Sequence, residues 1–252
     1  MRWNRLSVCG GLICFVAILG CVEHPSMTQS SAASDLPDKN DGPKAVPEAK
    51  RIAAGKNLVL ELQGGVRRVR IAAEVCNREK NVFLEQLLTR KFKKEHEAIL
   101  AADIDVRQLH AALTLAGAEP GKPMQFRPKL VPASGTAVKI FVEYKTKDGK
   151  EVRMPAQQWI VNKKTGKTLQ TDWVFAGSVL IPDPSDKDKP PFYGANEGDV
   201  ITVVNFESSC LDVPFISTKD TAEDFVPNTD LIPAVKTAVT VVLEPVLEKK
   251  KK

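Results

Sequence analysis

Glu95, His96, Glu97 and His110 are the residues of this sequence best placed by type to do chemistry. Imidazoles and carboxylates together make mixed nitrogen–oxygen ligand sets for zinc, and three protein ligands would leave a fourth position open for a reacting water. The glutamates flanking His96 would raise its pKa or share a metal with it. Their spacing belongs to no established metal motif, since there is neither an H-E-x-x-H nor an H-x-H. The plainer reading of His110 is a histidine at the edge of the core, bonded to backbone. For His96 it is a strand-entrance residue paired with a glutamate or a carbonyl. Cys76 and Cys210 form an even pair suited to an oxidising compartment. A disulfide between them would close a long loop and contribute roughly 3–5 kcal/mol in the chain-entropy account; the alternative is two separate buried thiols. With no C-x-x-C, a redox role is not expected. Ser134, Ser178, Ser208 and Ser209 are the candidate nucleophiles, but none sits in G-x-S-x-G, and Ser178 after Gly177 reads as a bend in a strand. Asp212, just before Val213-Pro214, reads as the close of a turn; its other reading is a carboxylate that orients a histidine. Phe192 and Tyr193 end a long polar loop, 182–194, of the kind that carries recognition on a rigid sheet. A small-ligand role for them requires a pocket beneath that loop; the plainer reading tucks both rings back onto the sheet.

These residues need elements to hold them. Asp103 and Asp105 precede an apolar run at helical spacing, Val106, Leu109, Leu113 and Ala116, with Gly117 and Pro120 after it. A carboxylate cap at one end and glycine then proline at the other predict a helix over about 105–116. His110 falls at the edge of its buried face. Ala98 to Ala102 reads as a short buried strand that begins just after His96. Residues 58–62 and 68–75, separated by Gly64-Gly65, and 138–145 show the period-two alternation of half-buried strands. Lys147-Asp148-Gly149-Lys150 carries a hairpin signal. Residues 156–162, 172–182, 200–206 and 237–245 read as further strands, and 81–88 as a strand or a helical turn. The fold class expected is α+β: a β-rich, mainly antiparallel sheet or sandwich with one main helix.

The N-terminus reads as an address. Arg2 and Arg5 precede an apolar stretch, Val8 to Leu19, too short to span a bilayer, and Ile18-Leu19-Gly20-Cys21 has the form of a bacterial lipobox. The expected division is a signal peptide over 1–20, a lipidated Cys21 opening a disordered linker to residue 56, one domain over 57–247 and a charged tail over 248–252. The linker is rich in Ser, Pro, Asp and Lys and cannot bury enough apolar surface to offset ordering. A lipid anchor places the protein on the periplasmic face of the cell envelope, and Glu23 in place of an Asp cue for inner-membrane retention leans this to the outer membrane. Removing residues 1–20 takes Arg2 and Arg5 from the 36 Lys+Arg that face 31 Asp+Glu, leaving +3. A near-neutral secreted chain gives no argument for nucleic acid as a partner.

Several blocks resemble the YdjY-domain family of secreted bacterial proteins. They are Lys94-Glu95-His96-Glu97, Leu109-His110-Ala111-Ala112-Leu113, Gly117-Ala118-Glu119-Pro120-Gly121-Lys122-Pro123, Trp173-Val174-Phe175-Ala176-Gly177-Ser178, Asn205-Phe206 and Leu211-Asp212-Val213-Pro214. The resemblance runs from about Val59 to Pro214 and implies no assigned activity. Thr89 stands where relatives often have a second Cys near Cys76, and Cys210 where many have an apolar residue. The ferredoxin-like label of some members does not carry over, because an iron–sulfur centre wants four Cys ligands and only Cys76 and Cys210 remain beyond Cys21. The function expected is a lipid-anchored envelope protein with a non-catalytic binding or structural domain. It would need no cofactor, and it would meet the membrane through Cys21 and an envelope protein or small ligand through its fold. The competing expectation is a metal site, able to support hydrolysis, built from His96, His110 and Glu95 or Glu97.

Overall fold

The computed structural model describes residues 48–217 and 223–247. Cys21, the signal segment, most of the expected linker and the charged tail lie outside the described residues. In chain order, β1 (Lys50–Gly55), β2 (Leu58–Gln63) and β3 (Val66–Val75) form an antiparallel meander. β4 (Gln86–Arg90) and β5 (Ala98–Ala102) run parallel to each other, and α1 (Val106–Leu115) follows. Then come β6 (Pro120–Lys122), β7 (Ser134–Gly135), β8 (Ala137–Lys145), β9 (Glu151–Pro155), β10 (Ile160–Asn162) and β11 (Trp173–Phe175). The last group is β12 (Leu180–Ile181), β13 (Phe192–Tyr193), β14 (Ile201–Thr202), β15 (Leu211–Asp212), β16 (Phe225–Pro227) and β17 (Ala238–Pro245).

The main sheet is a closed barrel. Its ring of eight strands runs β3-β17-β8-β11-β15-β14-β4-β5 and returns to β3 through Glu74↔Ala101 and Val75↔Leu100. β1 and β2 extend the sheet outward from β3, and β9 pairs with β8. This corrects the expected sandwich. The β-rich, mainly antiparallel character with one α-helix among the described residues stands; what alternation did not convey is that the same sheet meets itself. Closure removes the open edges that an exposed sheet would present. The cross-strand rows show why the sequence supports it. Val69, Leu243 and Ile140 lie side by side and point inward, as do Ile71, Val241 and Val142. On the outer face the rows carry charge: Arg68 meets Glu244 at 2.6 Å, Arg70 meets Glu143 at 2.6 Å, and Arg153 reaches Glu143 at 2.6 Å and Glu244 at 2.7 Å.

α1 is capped as its sequence requires. The Asp105 side chain accepts from Arg107 N at 2.9 Å, and the Arg107 guanidinium holds this carboxyl well below the usual carboxylate range. At the other end Gly117, at φ +98°, closes the helix, with Ala118 N donating to Leu113 O at 3.0 Å and Gly117 N to Thr114 O at 2.9 Å. The buried stripe of Val106, Leu109, Ala112 and Leu113 packs against β1, β2 and β3.

Four expectations shift. β1 lies inside the stretch assigned to linker, because pairing from Lys50↔Leu62 to Gly55↔Leu58 orders residues whose own composition would not. The strand near 81–88 is β4, which begins at Gln86. Residues 156–162 divide into a 3-10 turn, Ala156–Trp159, and β10. The expected strand over 200–206 is ordered as β14 over Ile201–Thr202 alone, since Val203 N bonds Glu85 O and Asn205 turns to bond Ser217.

Candidate functional site

The stretch 172–182 explains how the candidate site is built. Gly177 at φ +89° and Ser178 at φ +60° are consecutive left-handed residues, so β11 ends and the chain swings out into a hairpin made of β12 and β13. Glycine is required at 177: a Cβ there would stand 3.0 Å from the Pro120 Cβ and 3.6 Å from the His110 Cε1. Ser178 is therefore more than a strand bend. Its Oγ donates to Ser208 O at 2.7 Å and accepts from Ala195 N at 2.9 Å, pinning both ends of the excursion.

His110 sits under this hairpin. Its Nδ1 is 2.9 Å from the Tyr193 hydroxyl, which donates to Gly177 O at 2.9 Å, so the hydroxyl oxygen accepts from a protonated Nδ1. The Phe175 ring lies edge-on at 4.8 Å. Burial lowers the His110 pKa from its ordinary value, and a backbone contact with Gly177 only partly offsets this. His110 thus sits half-buried at the edge of the core, with a phenol, not the expected backbone group, as its main partner. The Cys210 thiol, wholly buried, stands 3.7 Å from the same hydroxyl and is pushed up to about 12 by burial.

Tyr193 tucks inward, while Phe192 on the opposite face of β13 stays exposed, as do Leu180 and Ile181 on β12. The recognition loop is divided residue by residue: one ring packs and the other is presented. Between this hairpin and the start of α1 lies a cleft of about 420 Å³, within the range of small-molecule sites. Ile181, Pro191 and Phe192 form its apolar wall, and Arg107, Lys189 and Asn196 bring polar groups to it.

The other sequence candidates do not converge on this place. His96 is exposed on the 3-10 turn Glu95–Glu97, its Nε2 3.6 Å from Glu97. Glu95 accepts instead from Phe92 N at 2.8 Å. β5 separates this turn from α1, and His96 and His110 share no partner; among the described residues no group of three His, Cys, Asp or Glu is placed to hold a metal ion. Cys76 and Cys210, the candidate disulfide pair, are separate free thiols here. Cys76 Sγ lies 3.3 Å from Ala98 O beside β5, whereas Cys210 lies under Tyr193.

Two polar clusters escaped the sequence reading. In one, Lys94 Nζ meets Asp199 at 2.9 Å, Gln86 Nε2 donates to the same carboxylate at 2.9 Å, and Ser208 Oγ donates to its other oxygen. Burial works to lower the Lys94 pKa, but the carboxylates of Asp199, Glu97 and Glu85 raise it above its ordinary value. Burial, with the Glu97 carboxylate alongside, pushes Glu85 up to about 7. In the other, Asp212 is wholly buried, and its Oδ1 accepts from Thr202 Oγ1 at 2.8 Å, Val213 N at 2.7 Å and Asn205 Nδ2 at 3.2 Å, while Oδ2 has no partner. Burial pushes this carboxyl up to about 7. Asp212 orients no histidine; it holds the 202–213 segment together. The first cluster joins Gln86 and Lys94 to Asp199 and Ser208, more than a hundred residues further along the chain, and the second is local to 202–213 but follows no established motif spacing.

The family model for the YdjY domain matches residues 62–244. The chain belongs to the YdjY-domain family. No curated protein and no solved structure matches it. The YdjY domain therefore covers the whole ring from β3 through β17, the helix and the hairpin with its cleft, leaving only β1 and most of β2 before it.

Proposed function

We propose that this protein is a lipid-anchored component of the bacterial envelope whose YdjY domain binds a ligand and does not catalyse. The ligand class we assign is a small amphiphile with an anionic head. The observation that carries this reading is the cleft beside the Phe192 hairpin. Its wall is aromatic, aliphatic and proline, and its two cations, Arg107 paired with Asp105 at 2.6 Å and Lys189 paired with Asp183 at 2.8 Å, are each more exposed than their carboxylate partners. Apolar walls with a few oriented polar groups are the usual composition of a ligand site. The His110–Tyr193–Gly177 chain beneath supports the reading too, because its hydrogen bonds fix the cleft floor rather than prepare a proton for transfer.

The test is a titration of residues 45–252 with decanoate and, separately, decylamine, followed by amide NMR shifts. Saturable shifts clustered at Arg107, Lys189, Phe192 and Asn196 with decanoate, weakened about tenfold (~1.4 kcal/mol) in Arg107→Ala, support the proposal. No saturable shift, a stronger response to decylamine, or shifts centred elsewhere would overturn it.

A further inference from the structure

The turn between β4 and the Glu95–Glu97 3-10 turn presents an aromatic ring to water. Phe92 is 91% exposed and holds φ +65°, a left-handed conformation that bulky residues rarely adopt. Glu95 secures it by accepting from Phe92 N at 2.8 Å, and Lys93 N bonds Arg90 O at 3.3 Å. A strained backbone that keeps a large apolar side chain out of every packing contact calls for an account in terms of what meets it.

The surroundings say what kind of surface that is. Lys91 N donates to Ala102 O at 2.9 Å, Asn57 Nδ2 to Asp103 O at 3.0 Å, and Arg90 Nη1 to Asn196 O at 2.7 Å. These bonds gather the Phe92 turn, the β1–β2 turn, the start of α1 and the segment after β13 at one end of the barrel. Three of the ion pairs here are set with the cation outward. Lys56 is more exposed than its partner Asp103, Lys91 more than Glu74, and Arg107 at 63% more than Asp105 at 32%; Lys93 and Glu197 are the reverse. An approaching flat surface meets ammonium and guanidinium groups first, with Phe92 standing among them. Long basic side chains around an aromatic are the composition of interfacial membrane contacts, where the ring enters the acyl boundary and the cations meet phosphates.

We infer that this end of the barrel docks on an anionic bilayer surface, with Phe92 inserted and Lys56, Lys91 and Arg107 at the headgroups. The inference shares Arg107 with the cleft but rests on Phe92, Lys56 and Lys91, none of which lines it. Residues 45–252 form one compact unit whose core, among the described residues, runs from Leu58 to Leu243, and the experiment uses this fragment. The experiment is cosedimentation with phosphatidylcholine vesicles with and without phosphatidylglycerol, at low and high salt. Expected are binding to the phosphatidylglycerol vesicles that weakens with salt, a loss of about tenfold (~1.4 kcal/mol) in Phe92→Asn, and recovery in Phe92→Trp. Asparagine tolerates the left-handed conformation, so an unchanged or higher Tm will separate lost docking from lost fold. Absence of vesicle binding, equal binding to both vesicle types at all salt, or a Phe92→Asn variant that binds like the parent would overturn the inference. So would capture of a protein partner through Phe92 without any vesicle binding.

Discussion

Replacing Asp212 by asparagine will change how the stability of this domain depends on pH. The native carboxyl titrates near 7 against an ordinary value of 3.8, so between those values the folded state holds a proton that the unfolded state has released. Stability is then fully present below about pH 4, falls as pH rises toward 7, and is flat above it. Each pH unit in that window is ~1.4 kcal/mol, so the interval from pH 5 to 7 is worth about 2.7 kcal/mol. For a domain of roughly 200 residues this is a fall in Tm of about 5–10 °C. The amide side chain of the Asp212→Asn variant cannot ionise, so the variant will lack this component. It will carry instead a pH-independent cost, because its amide donors replace an Oδ2 that has no partner, of about 1–3 kcal/mol. Glu85 titrates near 7 with the same sign, and His110, with its lowered pKa, opposes; both are common to parent and variant and cancel in the difference. The assay is urea unfolding of residues 45–252 at several pH values from 5 to 8. A parent-minus-variant difference that does not change with pH would refute the reasoning, since Asp212 would then be ionising without penalty.

Gly177→Ala will destabilise by about 1–3 kcal/mol through strain at a left-handed residue, compounded by a Cβ 3.0 Å from Pro120; thermal unfolding will report it, and His110 NMR resonances will move with it. The two thiols of residues 45–252 will both react with a thiol reagent in denaturant without prior reduction. In the native state at pH 8 they will react far more slowly, because burial pushes both up to about 12; finding no reactive thiol in denaturant would establish a disulfide instead.

Local signals mark the helix and the long strands plainly. Asp105, Gly117 and Pro120 bracket α1 because capping is decided within a few residues, and Val138, Ile140 and Val142 mark β8 because alternation is a property of one strand. Neighbours are another matter. Nothing in the alternation of β3 says that it pairs with β5 as well as with β17, and so a ring reads as a sandwich. Helical spacing puts His110 at the edge of the buried face, where the structure has it, but its partner Tyr193 lies 83 residues away in the chain. His96 and His110, close in sequence, are separated by a strand. Asp212 reads as a turn residue because Pro214 follows it, whereas its environment is set by Thr202 and Asn205, ten and seven residues earlier, which the pairing of β14 with β15 brings onto its carboxyl.

The position of β17 sets a timetable. Although it comes last of the strands in chain order, it is not at the rim of the sheet; it stands between β3 and β8, with a full ladder to each. A growing chain therefore possesses the strands on either side of the gap long before it possesses what fills it, and every shorter length leaves two unpaired edges facing a space one strand wide. Folding of the ring waits for synthesis of residues 238–245, and the many long-range pairings make that final step slow relative to helix formation. Trimming the end of most domains removes a frayed appendage. Here, losing residues 238–245 would remove the stave that closes the barrel.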